Sequence, residues 1–367
     1  MSEKQTTKEI IKGKGNIVFE KEIREAKIRS PLQNFEEVKQ KIEYRKDPIS
    51  NHYSRINVLR AERIKQTASP GEDYTDNLQQ LIDKSSKKCF FCEENVTKST
   101  PKFAEDLAVG ERIILNDFVL VPNLFVFAEA HAVGILGKNH FTELNEFTAQ
   151  QWKEAIQGSI QYFKAVFTND KLIKYPTVNF NYLPPSASSI VHPHIQILQD
   201  VQPTKIVETL LEQSKIYQET NKSNIWLDLI ASEKEIGQRV ISENDFICWL
   251  ASYAPQGKNE ILGVLKIPKT DITELSENES KKLAEEIVSA LKALYEVRGS
   301  RSVNMSIFPG PIGEDLSENY RINIKIVTRP NLSPNYTGDR GFMELLHQET
   351  VAEATPEMIA ESLKGKI

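Results

Sequence analysis

The feature that most constrains this chain is an order of elements that occurs twice. Residues 112–125 and 132–138 are rich in β-branched and aromatic side chains and read as strands. Phe147, Trp152, Ile156, Ile160 and Phe163 then follow helical spacing, which predicts a helix over 143–167. Residues 177–183 and 190–198 read as strands again. The same succession returns later: strands over 246–254 and 260–268, a helix over 274–295, and strands over 302–308 and 321–327. Thr142-Glu143-Leu144 has its counterpart in Thr273-Glu274-Leu275, and Val178-Asn179 in Val303-Asn304. A chain of 367 residues is too long for one small domain and suits a duplicated unit. Antiparallel strands with a helix laid on one face give the α+β class, antiparallel sheets with helices packed on them. The expected divisions are a Lys- and Glu-rich lead-in over 1–42, mobile or peripheral, a first repeat over 43–200 and a second over 201–367. Residues 67–88, polar and punctuated by Pro70-Gly71, read as a loop.

Charge narrows the function classes. Lys and Arg number 46 against 51 Asp and Glu, a net −5, which disfavours a nucleic-acid partner because that needs a basic face. No apolar run is long enough to cross a membrane, and residues 1–15 lack the apolar core of a signal peptide, so a cytoplasmic location is expected. Three Cys in such a setting do not make a disulfide framework, and the pair Cys89-x-x-Cys92 needs another explanation: redox, half a zinc site, or two buried thiols. Cys248, in an apolar strand, reads as an inert buried thiol.

The chemistry concentrates in the first repeat. In an extended strand, His192, His194 and Gln196 project from one face, while Val191, Ile195 and Ile197 project from the other, with Pro193 distorting the pattern locally. An imidazole can attack phosphorus, and a neighbouring amide can donate to phosphate oxygens. The approach from Asn181 to Ser189 is rich in turn and hydroxyl residues, Ser188 among them, and suits a phosphate-facing loop.

Ser189-x-x-His192-Pro193-His194-x-Gln196 resembles the signature of the galactose-1-phosphate uridylyltransferase family of the histidine triad superfamily. Arg45-x-Asp47-Pro48-Ile49, Cys89-x-x-Cys92 and Val121-Pro122-Asn123-Leu124-Phe125 resemble further segments of that family, over residues 43 to about 360. The resemblance implies a duplicated histidine-triad-like unit, the second copy degenerate. It implies that His194 is the nucleophile, forming a nucleotidyl-histidine from a nucleoside diphosphate sugar, with Gln196 and Ser189 holding the transferring phosphate. Asn181, Asn123, Arg45 and Ser188 would bind nucleotide or substrate. Zn2+ is the implied cofactor, held by Cys89, Cys92, His140 and His192, and a homodimer is expected. The partners would be a nucleotide sugar and a sugar phosphate or phosphate.

The chain departs from the family in one respect. The uridylyltransferases carry a second His-x-His metal pair in the second repeat, whereas no His lies between His194 and His347 here. Arg321, Asn323 and Lys325 are expected at the matching strand positions, with Arg321 and Lys325 as surface charges or phosphate contacts. Three readings follow: a uridylyltransferase-type transfer to a hexose 1-phosphate, a phosphorylase acting on a sugar nucleotide or dinucleoside polyphosphate, or a nucleotide-binding protein without turnover. His52, His131 and His347 read as lone surface or structural residues.

Overall fold

The computed structural model describes residues 6–62, 74–333 and 338–367. A five-stranded sheet takes the N-terminal region: β1 (Thr7–Lys12), β2 (Val18–Ser30), β3 (Glu36–Lys46) and β4 (Tyr53–Ile56) in antiparallel succession. The expected mobile or peripheral lead-in is therefore regular from Thr7, and β3 runs straight through position 42. Alternation of charged side chains across the β2–β3 ribbon, such as Lys39 with Glu25 at 2.9 Å, hid this strand pattern behind a polar composition.

Helix α1 (Tyr74–Ser86) corrects the loop expected over 67–88; the residues before position 74 lie outside the described ones. Its apolar contacts, Leu78, Leu81 and Ile82, are spaced three and four apart and pack on the main core. Helix α2 (Glu93–Ser99) follows the Cys pair.

The duplicated order then unfolds. Strands β5 (Ile113–Leu115), β6 (Phe118–Pro122) and β7 (Ala130–Leu136) lead to α3 (Ala149–Asn169), then to β8 (Tyr175–Tyr182) and β9 (His194–Asp200). Helix α3 starts six residues later than expected because Thr148 and Gln151 form a reciprocal cap there. Helices α4 (Lys205–Asn221) and α5 (Ile225–Ile236), not foreseen from the sequence, precede the second set. That set is β10 (Val240–Glu243), β11 (Ile247–Ala251), β12 (Lys258–Leu265), α6 (Glu277–Arg298), β13 (Val303–Phe308) and β14 (Asn323–Thr328). Helix α7 (Phe342–Leu346), β15 (Thr350–Ala352) and α8 (Pro356–Leu363) close the chain, with β15 parallel to β4.

Strands β5 to β14 make one ten-stranded sheet in the order β10-β11-β12-β14-β13-β8-β9-β7-β6-β5. The order β6-β7-β9-β8 mirrors β11-β12-β14-β13, with β8 and β13 paired at the centre. Helices α3 and α6 lie against each other and bury one sheet face through Trp152, Ile156, Phe163, Leu283, Ile287 and Leu291. Each such buried side chain contributes roughly 1.5–3 kcal/mol. Ile195 and Ile197 of β9 belong to this core, so His194 and Gln196 face the opposite side.

Candidate active site and metal centre

His194 opens β9 and is buried. Its Nδ1 lies 2.9 Å from the carbonyl oxygen of His192. A carbonyl only accepts, so Nδ1 carries the proton and Nε2 keeps its lone pair. The Phe91 ring meets the imidazole edge-on at 5.4 Å. Burial depresses the pKa of His194 below the ordinary histidine range, outweighing the carbonyl contact, so the ring is neutral at pH 7.

His192 precedes the strand and is fully buried. Its Nε2 donates to the Gly137 carbonyl at 2.9 Å, leaving Nδ1 bare. Gly137 has φ +95°, a conformation that a side chain would strain, and this aims its carbonyl at the ring. Nδ1 of His192 lies 3.8 Å from both Cys89 Sγ and Cys92 Sγ. His140, on the β7–α3 connection, is held likewise. Its Nε2 lies 2.8 Å from Ser85 Oγ of α1, whose own proton goes to the Leu81 carbonyl at 2.7 Å. His140 Nδ1 is therefore also bare, 3.5 Å from Cys92 Sγ.

The four donor atoms of Cys89, Cys92, His140 and His192 lie within 4.8 Å of one another. A tetrahedral zinc, with Zn–S about 2.3 Å and Zn–N about 2.0–2.1 Å, requires sulfur–nitrogen edges of about 3.6 Å. The edges of 3.5–3.8 Å and the two bare Nδ1 atoms fit that ion. Without a cation, burial and the neighbouring Cys89 push the Cys92 thiol up to about 12, and burial takes His192 down to about 4. The four protein ligands leave no open position, so the site is suited to structure rather than to chemistry on the metal. It would tie α1, the Cys turn, the β7–α3 connection and the strand that carries His194 together.

Around His194 the other expected residues divide. Gln196 Oε1 lies 3.2 Å from His131 Nε2, and Asn123 Nδ2 lies 3.0 Å from the same nitrogen. His131, expected as a lone residue, is thus buried between two site candidates. The signal that could have found it is register: β7 pairs with β9, and odd-numbered β7 residues share the face of Gln196. Asn181 accepts from Asn304 Nδ2 of β13 at 2.6 Å, so the second half touches the site. Leu183 (φ 67°) and Ala187 (φ 69°) hold the following turn in the left-handed region. Ser188 donates to the Ile190 carbonyl at 2.8 Å and shapes this turn, while Ser189 is exposed.

Arg45 is not brought to this group. It is buried, with its guanidinium bonded to Glu43 (2.7 Å) and Glu357 (2.8 Å), and no described bond joins it to His194. Asp47 of the same segment accepts from the Ile49 and Ser50 amides and forms a turn.

The second half has a different outward face. Pairing of Val178 with Ile197 and of Val303 with Thr328 makes Lys325 the counterpart of His194, Asn323 of His192 and Val327 of Gln196. The expected match with Arg321, Asn323 and Lys325 is thus two residues out of register, because the turn entering β14 differs from that entering β9. Helices α4 and α5 with Ile17, Phe19 and Ile49 cover the face formed by Leu250, Leu262 and Val264. Lys325 is paired to Glu260 at 3.4 Å, and Arg321 donates to the Tyr320 carbonyl at 2.7 Å. Both make internal bonds and are not the surface charges expected.

No known protein-family model matches the chain. An uncharacterized protein of Archaeoglobus fulgidus is 28% identical over 346 residues, 94% of this chain and 98% of that one. An ADP-glucose phosphorylase of Arabidopsis thaliana, solved with bound ADP-glucose, superposes with a TM-score of 0.68 at 18% identity. It covers 88% of this chain and 99% of its own. A uridylyltransferase superposes with a TM-score of 0.62 at 17% identity, over 88% and 98% of the two chains. This chain has the uridylyltransferase fold. Within that fold it keeps the expected first-half histidines and lacks any histidine on β13 and β14. Among the described residues no helix is long and apolar enough to cross a membrane.

Proposed function

We propose that the chain is a nucleotidyltransferase acting through His194. The observation that carries this reading is the His194 ring itself: neutral, with its proton fixed on Nδ1 by the His192 carbonyl, so that Nε2 keeps its lone pair on the sheet side opposite Ile195 and Ile197. The Nε2 lone pair attacks the α-phosphorus of a nucleoside diphosphate sugar, and the sugar 1-phosphate leaves with the electrons of the broken P–O bond. An oxygen of a hexose 1-phosphate then attacks the same phosphorus and returns the electron pair to Nε2. One phosphate site serves both steps, with Gln196 and Ser189 beside it and Asn181, Asn123 and Ser188 on the nucleotide side. The zinc ligands hold the strand that presents His194. In this proposal residues 43–200 are the reactive histidine-triad-like repeat and 201–367 the degenerate one. The enzyme would be cytoplasmic and homodimeric.

A second reading is favoured by the superposition with the ADP-glucose phosphorylase: inorganic phosphate, rather than a sugar phosphate, removes the nucleotide. One experiment tests both. Protein incubated with α-³²P-labelled UDP-glucose or ADP-glucose should acquire acid-labile label, and His194→Asn should acquire none. Release by glucose 1-phosphate or galactose 1-phosphate supports transfer, and release by inorganic phosphate alone supports phosphorolysis. Label on His194→Asn at the wild-type rate refutes the mechanism.

A further inference from the structure

We infer that Arg329 is a positioning residue: through Asn304 it fixes the direction in which Asn181 offers its amide to the site, an inference that rests on the proposed nucleotide-side role of Asn181. Arg329 directly follows β14, and its side chain is 14% exposed. Its Nε and Nη2 hold the Asp339 carboxylate at 3.0 and 2.6 Å, which leaves Nη1 to donate to Asn304 Oδ1 at 2.8 Å. Asn304 Nδ2 in turn lies 2.6 Å from Asn181 Oδ1 and 2.9 Å from the Ser186 carbonyl oxygen. Asn304 and Asn181 are direct partners in the β13–β8 register, on the outward face where Asn179 stands beside Gln196.

The partners at the two ends of this row decide every amide in it. An arginine only donates, and a carbonyl oxygen only accepts. Asn304 stands between one of each, so its oxygen must face Arg329 and its nitrogen must face Ser186. Both Nδ2 protons of Asn304 then have acceptors: the Ser186 carbonyl takes one and Asn181 Oδ1 takes the other. Asn181 is thereby held through its oxygen, and among the described residues nothing accepts from its Nδ2. That NH2 group is the polar end left for a ligand, and it can donate to a ribose or phosphate oxygen of a nucleotide. An amide free to turn would offer its oxygen as readily and repel a phosphate there. The Asn304 bond to Ser186 also ties down the turn in which Leu183 (φ 67°) and Ala187 (φ 69°) are left-handed. A cation of the second repeat thus sets the donor that the first repeat presents, without touching the substrate itself.

The test compares Arg329→Met, Asn181→Ala and the Arg329→Met/Asn181→Ala pair with wild type. The readout is the initial rate at which α-³²P-labelled UDP-glucose or ADP-glucose labels the full-length protein, over a range of donor concentration. Arg329→Met should raise the half-saturating donor concentration about fivefold, the size of one neutral hydrogen bond, and leave the maximal rate unchanged. In the Asn181→Ala background Arg329→Met should cost nothing further. Losses that multiply in the double variant would reveal a direct effect of the Arg329 charge and overturn the inference. A wild-type half-saturating concentration in Arg329→Met, or a fall in the maximal rate alone, also overturns it. If neither donor labels the wild-type protein, the transfer reading fails, and the inference is then read from side-chain ¹H–¹⁵N spectra of the unliganded protein. Asn304 amide protons shielded from exchange with water, beside Asn181 amide protons that exchange freely, support it. Shielded Asn181 protons overturn it, as does Asn304 shielding that survives in Arg329→Met.

Discussion

Glu357→Gln should destabilise this protein by about 3 kcal/mol at neutral pH while leaving His194 chemistry intact. Glu357 of α8 receives Arg45 through two bonds of 2.9 and 2.8 Å and Arg239 through a third of 3.0 Å. Both guanidinium groups are buried, stacked near the Tyr253 ring at 5.0 and 4.9 Å. Burial alone would raise the Glu357 pKa, but the hydrogen bonds and charge of Arg45, joined by Arg239, hold it down to about 2 from 4.5. At about 1.4 kcal/mol per decade, that displacement is worth about 3 kcal/mol. The other counter-ion of Arg239, Glu233, is pushed up to about 7 by burial, so Glu357 carries the firmer charge. The carboxylate contributes fully above its unfolded pKa near 4.5, and its contribution fades as pH falls toward 2. The gap between wild type and Glu357→Gln should therefore be about 3 kcal/mol at pH 7 and about half that at pH 3. Urea unfolding followed by tryptophan fluorescence measures it, since Trp152, Trp226 and Trp249 are all buried. A gap below about 1 kcal/mol at pH 7, or one that does not narrow by pH 3, refutes the reasoning. Substitution of Arg45 should likewise reduce stability rather than raise the KM for a nucleotide sugar.

Cys92→Ser should lower both bound zinc, from about one per chain, and the melting temperature, measured by metal analysis and calorimetry; wild-type protein purified without chelator and free of zinc would remove the site. Intact-mass spectrometry after donor addition without acceptor should show at most one nucleotidyl group per chain, on a peptide ending before residue 200. Two adducts, or one in the second half, would contradict the internal pairing of Lys325 with Glu260. The labelling rate should stay level as pH drops through 6.5 and fall only below it, because burial depresses His194 and preserves its neutral ring. A midpoint at or above 6.5 would count against the buried nucleophile.

Much of this was legible in the sequence because periodicity carries it. The alternation in 190–198 places His194 and Gln196 opposite Ile195 and Ile197, and the structure keeps that division. The Cys89, Cys92, His140 and His192 group was reachable only through resemblance, since ligands 103 positions apart meet by folding. What failed to show has specific causes. Charge ladders disguised β2 and β3 as a lead-in. Polar residues in α1 masked Leu78, Leu81 and Ile82. His131 looked isolated because its partners, Asn123 and Gln196, are set by strand pairing rather than by local spacing. Arg45 carried a family motif but no indication that Glu357, 312 positions away, would claim it.

The pairing of β8 with β13 has a consequence for how turnover proceeds. Backbone bonds from Val178–Ile307 to Tyr182–Val303, with Ser306 to Asn179 at 2.8 Å and Asn304 to Asn181 at 2.6 Å across the seam, leave the two halves no hinge. On the proposed two-step reading, the first product would depart, and the second reactant arrive, without the halves parting. At the rim, Leu124 to Phe127 stand exposed beside Asn123. On that reading, stiffening this short loop should retard exchange of leaving group for acceptor while the making and breaking of the phosphorus–nitrogen bond keeps its pace.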